Sequence, residues 1–170
     1  MEKTVAVINE LEKRGFVERY AIGGAVGAAF YMEAILTYDL DVFISLPRRA
    51  GGLVTLSPIY EFLQNRGYVA EREHVVIEGV PVQFLPAGNS LVEEALSAAR
   101  EVAYGTAQTR VFRAEHLLAI MLQTYRPKDK ARAVQMLGEA PVDREQLTRI
   151  LDRHGLGERW RDFRRQFGVE

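Results

Sequence analysis

The chain has no cysteine, which excludes disulfides, zinc–thiolate sites and thiol nucleophiles at once. Histidine is scarce too: His74, His116 and His154 show no metal-ligand spacing, so each reads as structural. Neither sign of charge dominates. Lys and Arg number 22 against 23 Asp and Glu, a net charge of -1, which argues against a broad electrostatic footprint for nucleic acid. No apolar run approaches a membrane span, and the N-terminus shows no signal-peptide core. These absences lead us to expect a cytoplasmic protein without a membrane partner. Internal repeats and low-complexity segments are also missing. Apolar residues are plentiful, at 48% of 170 residues, enough for one domain or for a small α/β domain with a helical appendage.

The stretch from Tyr20 to Leu46 organises the rest. Tyr20-Ala21-Ile22 is a short apolar run that closes a first strand from Phe16 to Ile22 and ends in Gly23-Gly24. A glycine pair there lets the backbone turn tightly and approach a ligand closely, because no Cβ intervenes. Ala25 to Ile35 reads as a buried, Ala-rich helix. Asp39-Leu40-Asp41-Val42-Phe43-Ile44 follows as a strand. Side chains alternate between the faces of a strand, so Asp39 and Asp41 share one face and Leu40 and Val42 the other. Two adjacent carboxylates repel, and one is driven to protonate unless a cation intervenes. A hard divalent cation such as Mg²⁺ is the usual partner, held by one or two carboxylates plus substrate phosphates.

A strand, Gly-Gly, a helix and a strand bearing Asp-x-Asp resemble the nucleotidyltransferase signature of the DNA polymerase β superfamily. The resemblance implies that Gly23 and Gly24 pass backbone amides to a triphosphate and that Asp39 and Asp41 bind Mg²⁺ or Mn²⁺. It further implies an NTP donor and a hydroxyl acceptor, on a tRNA end, a protein side chain or a small molecule. Gly79-Val80-Pro81-Val82-Gln83-Phe84-Leu85-Pro86 looks like the family strand that carries a third carboxylate, yet Gln83 holds the acidic position. An amide can accept a hydrogen bond but cannot act as a general base. That leaves a second reading open: a catalytically inactive protein of this fold that binds nucleotide or a partner protein.

The remaining chain fills in around this core. Lys3 to Arg14 has helical spacing, with Gly15 as its stop. Pro47 to Gly52 is a basic loop leaving the acidic strand, from which Arg48 or Arg49 could reach a phosphate, or merely face solvent. Ser57-Pro58 opens a helix to Arg66. Val75 to Leu85 forms a hairpin about Glu78-Gly79. Ser90-Leu91-Val92-Glu93 reads as a capping box opening a helix to about Arg100. Glu101 to Phe112 is a strand pair or an extended segment, and Ala114 to Tyr125 a helix. Two helices close the chain, Asp143 to His154 and Gly157 to Phe167. Arginines on the last are read as a solvated face over an aromatic stripe.

Pro127 fits the first turn of a new helix, within Arg126-Pro127-Lys128-Asp129. This segment resembles the R-x-K-D stretch of a bacterial branch that includes the nucleotidyltransferase toxins of type IV toxin-antitoxin (abortive infection) systems. By that resemblance Lys128 approaches the nucleotide phosphates, Asp129 orients it or completes the polar site, and an antitoxin protein is a partner. The expected fold is α/β (α+β), a nucleotidyltransferase-like mixed sheet flanked by helices with a C-terminal helical part. Residues 1–112 would form the core and 113–170 the helical part packed on it.

Overall fold

The computed structural model describes residues 1–34, 36–47 and 55–169. The loop carrying Arg48 and Arg49 therefore lies outside the described residues. Helix α1 (Glu2–Lys13) buries Val5, Ile8 and Leu11 on one stripe and stops before Gly15, whose φ of 75° suits only a residue without a Cβ. Strand β1 (Arg19–Ile22) leads into α2 (Gly24–Ala28), and β2 (Leu40–Ser45) and α3 (Ser57–Asn65) follow. The segment after Gly24 is thus one short helix rather than a helix reaching Ile35. Past Ala28 the backbone tightens into turns, with Phe30 N–H on Gly27 O and Tyr31 N–H on Ala28 O.

Strands β3 (Val69–Glu71), β4 (His74–Ile77) and β5 (Val80–Pro86) form a meander. Its second turn has Glu78 at φ 52° and Gly79 at φ 79°, the left-handed pair a tight hairpin demands. Helix α4 (Ser90–Ser97) is capped by Asn89, whose Oδ1 accepts from Val92 N–H at 3.1 Å. The expected capping box is one residue late: Ser90 lies inside the helix, and Asn89 has the extended backbone a cap needs. Then come the pair β6 (Arg100–Tyr104) and β7 (Ala107–Val111), and four helices: α5 (Ala114–Thr124), α6 (Pro127–Glu139), α7 (Arg144–Arg153) and α8 (Gly157–Phe167).

Among the described residues these strands make one seven-stranded mixed sheet, in the order β3-β4-β5-β2-β1-β7-β6. β2 runs parallel to β5 and antiparallel to β1, while β1 and β7 are parallel. Alternation along the strands divides the apolar side chains between two cores. Leu40, Val42, Ile44, Val82 and Phe84 meet α1 and α3 on one face. On the other, Ala21 and Phe112 join α2, α4, α5 and the helices that follow. Helix α5 is buried nearly throughout, because sheet and C-terminal helices enclose it. Among the described residues no helix is long and apolar enough to cross a membrane.

Polar ties fix the helices around the sheet. Glu94 of α4 accepts from His116 Nε2 (3.3 Å), His154 Nε2 (2.7 Å) and Arg153 (2.8 Å), joining α4 to α5 and α7. Two of the three histidines thus have structural work. Arg159 of α8 donates to the carbonyls of Leu122 and Gln123, filling acceptors that the end of α5 leaves open.

Candidate active site

On β2 the side chains turned away from Leu40 and Val42 are those of Asp41 and Phe43. Parallel pairing sets Gln83 of β5 beside Asp41, and Leu85 beside Phe43. Asp39 sits one residue before β2. A cavity of about 1060 Å³ opens over this strip of sheet, and Asp39, Asp41, Gly24, Gln83, Lys128 and Asp129 all line it. The strand after Gly-Gly, the acid pair and the start of α6 therefore converge, although nearly 90 positions separate Asp41 from Lys128 along the chain.

The two glycines serve different ends. Gly24 has φ 56° and lies against Asp41, where an added Cβ would run into the Oδ2 atom. Only glycine allows both the left-handed turn and that close approach. Gly23 corrects the expected amide contact to phosphate: its N–H already donates to Asp41 O at 3.0 Å. It is required instead because a Cβ would strike the rings of Phe43 and Phe112. Among the described residues the N–H of Gly24 has no backbone acceptor.

The acids differ in environment. Burial pushes the Asp41 carboxyl above its usual range and the charge of Asp39 adds to the shift, with Lys128, Arg132 and Arg126 opposing. For Asp39 burial also acts upward, but hydrogen bonds from Thr37 and His74 outweigh it and the carboxyl is held below its usual range. Thr37 Oγ1 lies 3.0 Å from Asp39 Oδ1, and His74 Nε2 3.3 Å from Oδ2. Asp129 is almost fully buried and accepts from Arg126 Nε and Thr124 Oγ1, both at 2.7 Å. It therefore orients Arg126 rather than Lys128, since a carboxylate three residues into the helix reaches back to the cap residue. Lys128 is exposed and makes no ion pair among the described residues. Arg132, one turn further along α6, lines the same cavity.

These donors can be tested against a divalent cation. Among the described residues no group of three His, Asp or Glu side chains is placed to hold a metal alone. Asp41 accepts no side-chain hydrogen bond there, and its nearest acid repels it. Two hard carboxylate donors in mutual repulsion, with neutral Gln83 alongside, fit Mg²⁺ or Mn²⁺ that completes its shell with substrate phosphates and water. They do not fit a cation caged by protein alone.

Several cavity residues have no assignment from sequence, His74, Thr37, Arg126 and Arg132 among them. His74 and Thr37 act on Asp39 through tertiary proximity, which no local pattern encodes. Arg126 was read as part of a mixed segment without a role of its own. Arg132 carried a usable signal, because its spacing of four from Lys128 puts both on one helix face.

No protein-family model matches the chain, and no curated protein matches it in sequence. Solved structures match it in fold. An antigenic nucleotidyltransferase-like protein from Paracoccidioides brasiliensis superposes with a TM-score of 0.58 at 13% identity, covering 98% of this chain and 91% of that one. ANT(2″)-Ia in complex with adenylyl-2″-tobramycin superposes with a TM-score of 0.51 at 16% identity, covering 92% of this chain and 98% of that one. The chain has a nucleotidyltransferase-like fold.

Proposed function

We propose that the protein is a metal-dependent nucleotidyltransferase that moves a nucleotide from an NTP to a hydroxyl acceptor. One observation carries this reading: Gly24, whose bare backbone abuts Asp41, and the cations of α6 share one cavity with both acids. The acceptor hydroxyl gives its proton to water as its oxygen attacks the α-phosphorus, the bond from that phosphorus to the α,β-bridging oxygen breaks, and pyrophosphate leaves with that oxygen. Asp39 and Asp41 would hold Mg²⁺ or Mn²⁺, which when bound neutralises charge on the phosphates. Lys128 and Arg132 give the polyphosphate a cationic wall, and Asp129 keeps Arg126 turned toward it. ANT(2″)-Ia was solved with a nucleotidyl group on a small hydroxylated molecule, which supports including such acceptors beside tRNA ends and protein side chains.

The test is transfer of α-labelled NTP to that panel of acceptors. Gln83 beside Asp41 favours a second reading, nucleotide binding without chemistry, because an amide takes no proton from the attacking hydroxyl. Gln83→Asp decides between them. A positioned base contributes roughly 10²–10⁴-fold, so transfer should rise by about 10²-fold if the base alone is lacking. An active wild type unchanged by Gln83→Asp would end the inactive reading. Binding without transfer in both proteins would favour it.

Lys128 provides a separate check. Lys128→Ala should weaken NTP binding by about 1.5 kcal/mol, the lower end for a charge-assisted contact, because the side chain is exposed. Nucleoside binding should not change. Equal losses for both ligands, measured by calorimetry, would remove phosphate as its partner.

A narrower form of the reading, a toxin with an antitoxin partner, rests on the Arg126–Asp129 segment alone. It would appear as growth arrest on expression of the wild type, absent with Asp39→Asn/Asp41→Asn.

A further inference from the structure

The cavity continues past its charged groups, and the far end is apolar. Along the same sheet face, Phe43 and Leu85 come next after Asp41 and Gln83, about 7 Å on at strand spacing. Val92 of α4 and Ile120 and Met121 of α5 line the cavity with them. Phe43 is held against Phe112, ring centroids 4.9 Å apart, so the floor offers a fixed flat surface.

Two amides, Asn89 and Gln123, also line this cavity, and a single backbone hydrogen bond fixes both their orientations. Val92 N–H can only donate, so the Asn89 atom it meets at 3.1 Å is Oδ1. Asn89 must then turn Nδ2 toward Gln123, where the contact is 3.1 Å. A donor requires an acceptor, so the facing atom of Gln123 is Oε1. Gln123 Nε2 is left over, a donor with no protein acceptor among the described residues. Its place is steadied by Arg159, which holds the Gln123 carbonyl at 2.6 Å.

We propose that Gln123 selects the nucleobase of the donor NTP. The base lies on Phe43 and Leu85, and Nε2 of Gln123 donates to a keto oxygen on its edge. An exocyclic amine at that position would meet donor with donor. Guanine and uracil are therefore preferred over adenine and cytosine. The inference rests on the nucleotidyltransferase reading and adds base selection to it.

The experiment measures binding of GTP, UTP, ATP and CTP to the full chain with Mg²⁺ by calorimetry. The wild type should bind the keto pair about tenfold tighter than the amino pair, the worth of roughly one hydrogen bond. Gln123→Glu keeps an acceptor for Asn89 Nδ2 but replaces the free donor with an acceptor, so the order should reverse. The added charge weakens all four nucleotides alike and cancels from the ratio. Gln123→Leu should flatten the ratio, and unliganded melting temperatures report whether each variant folds. Equal binding of the four by the wild type, or an unchanged order in Gln123→Glu, overturns base selection and leaves nucleotide transfer standing. Failure of any NTP to bind the wild type overturns both.

Discussion

Asp39→Asn combined with Asp41→Asn should abolish the thermal stabilisation that Mg²⁺ and NTP give together, and with it nucleotide transfer. Losing groups that only hydrogen-bond to a metal's ligands costs about 10–100-fold, so losing both carboxylates should exceed 100-fold. In the unliganded protein the two changes oppose each other: Asp39→Asn weakens the contacts with Thr37 and His74, while Asp41→Asn removes a disfavoured charge. The Asp41 carboxyl is partly buried, repelled by Asp39 and accepts no hydrogen bond among the described residues, so a neutral amide there removes an unfavourable charge. At Asp41, though not at Asp39, function and stability therefore move in opposite directions. A double variant that keeps the ligand-induced shift would remove the acids from the binding site. One that loses the shift only because it is unfolded would show so in its own melting curve.

Gly24→Ala should be nearly as damaging, for a steric reason. A left-handed backbone costs a residue with a Cβ roughly 1–2 kcal/mol. At Gly24 the methyl also meets Asp41 Oδ2 and must displace the carboxylate. Gly15→Ala isolates the backbone effect. Gly15 has φ 75° with nothing within 4 Å of the added Cβ, so it bears the backbone cost without a clash. Both variants should lose a similar amount of stability from the backbone, while Gly24→Ala alone should lose Mg²⁺–NTP binding. Wild-type binding by Gly24→Ala would mean that the turn does not set the position of Asp41.

What the sequence disclosed follows from the range of each signal. Alternation placed Asp41 opposite Leu40 and Val42, since a period of two is intrinsic to a strand. Glu78-Gly79 marked a hairpin and Pro127 a helix start, because both are local backbone preferences. The short α2 was harder: Ala28 to Phe30 has helical composition, but turns and tertiary contacts end the helix after Ala28. Tyr31 shows one such contact, its hydroxyl donating to Phe112 O at 2.9 Å. Asn89 was displaced as a cap by the more familiar Ser-x-x-Glu pattern next to it. His74 could not be tied to Asp39, because the contact spans 35 positions and depends on the order of β5, β4 and β2 in the sheet. The partner of Asp129 is hard to read for the opposite reason. It is only three residues away, but sequence does not say which of the neighbouring cations, Arg126 or Lys128, the carboxylate meets.

In the proposed reaction, phosphate and metal complete one another's site between Gly24, the acids and α6. Melting curves of the wild-type chain with Mg²⁺ alone, with NTP alone and with both test it most directly. Neither the metal nor the nucleotide by itself should shift the midpoint much, because two carboxylates are too few for the cation and repel the phosphates. Together, at about 100-fold over their dissociation constant, they should add about 2.7 kcal/mol of stability. An unshifted midpoint with both present, or an equal shift with NTP and no divalent cation, would contradict the account.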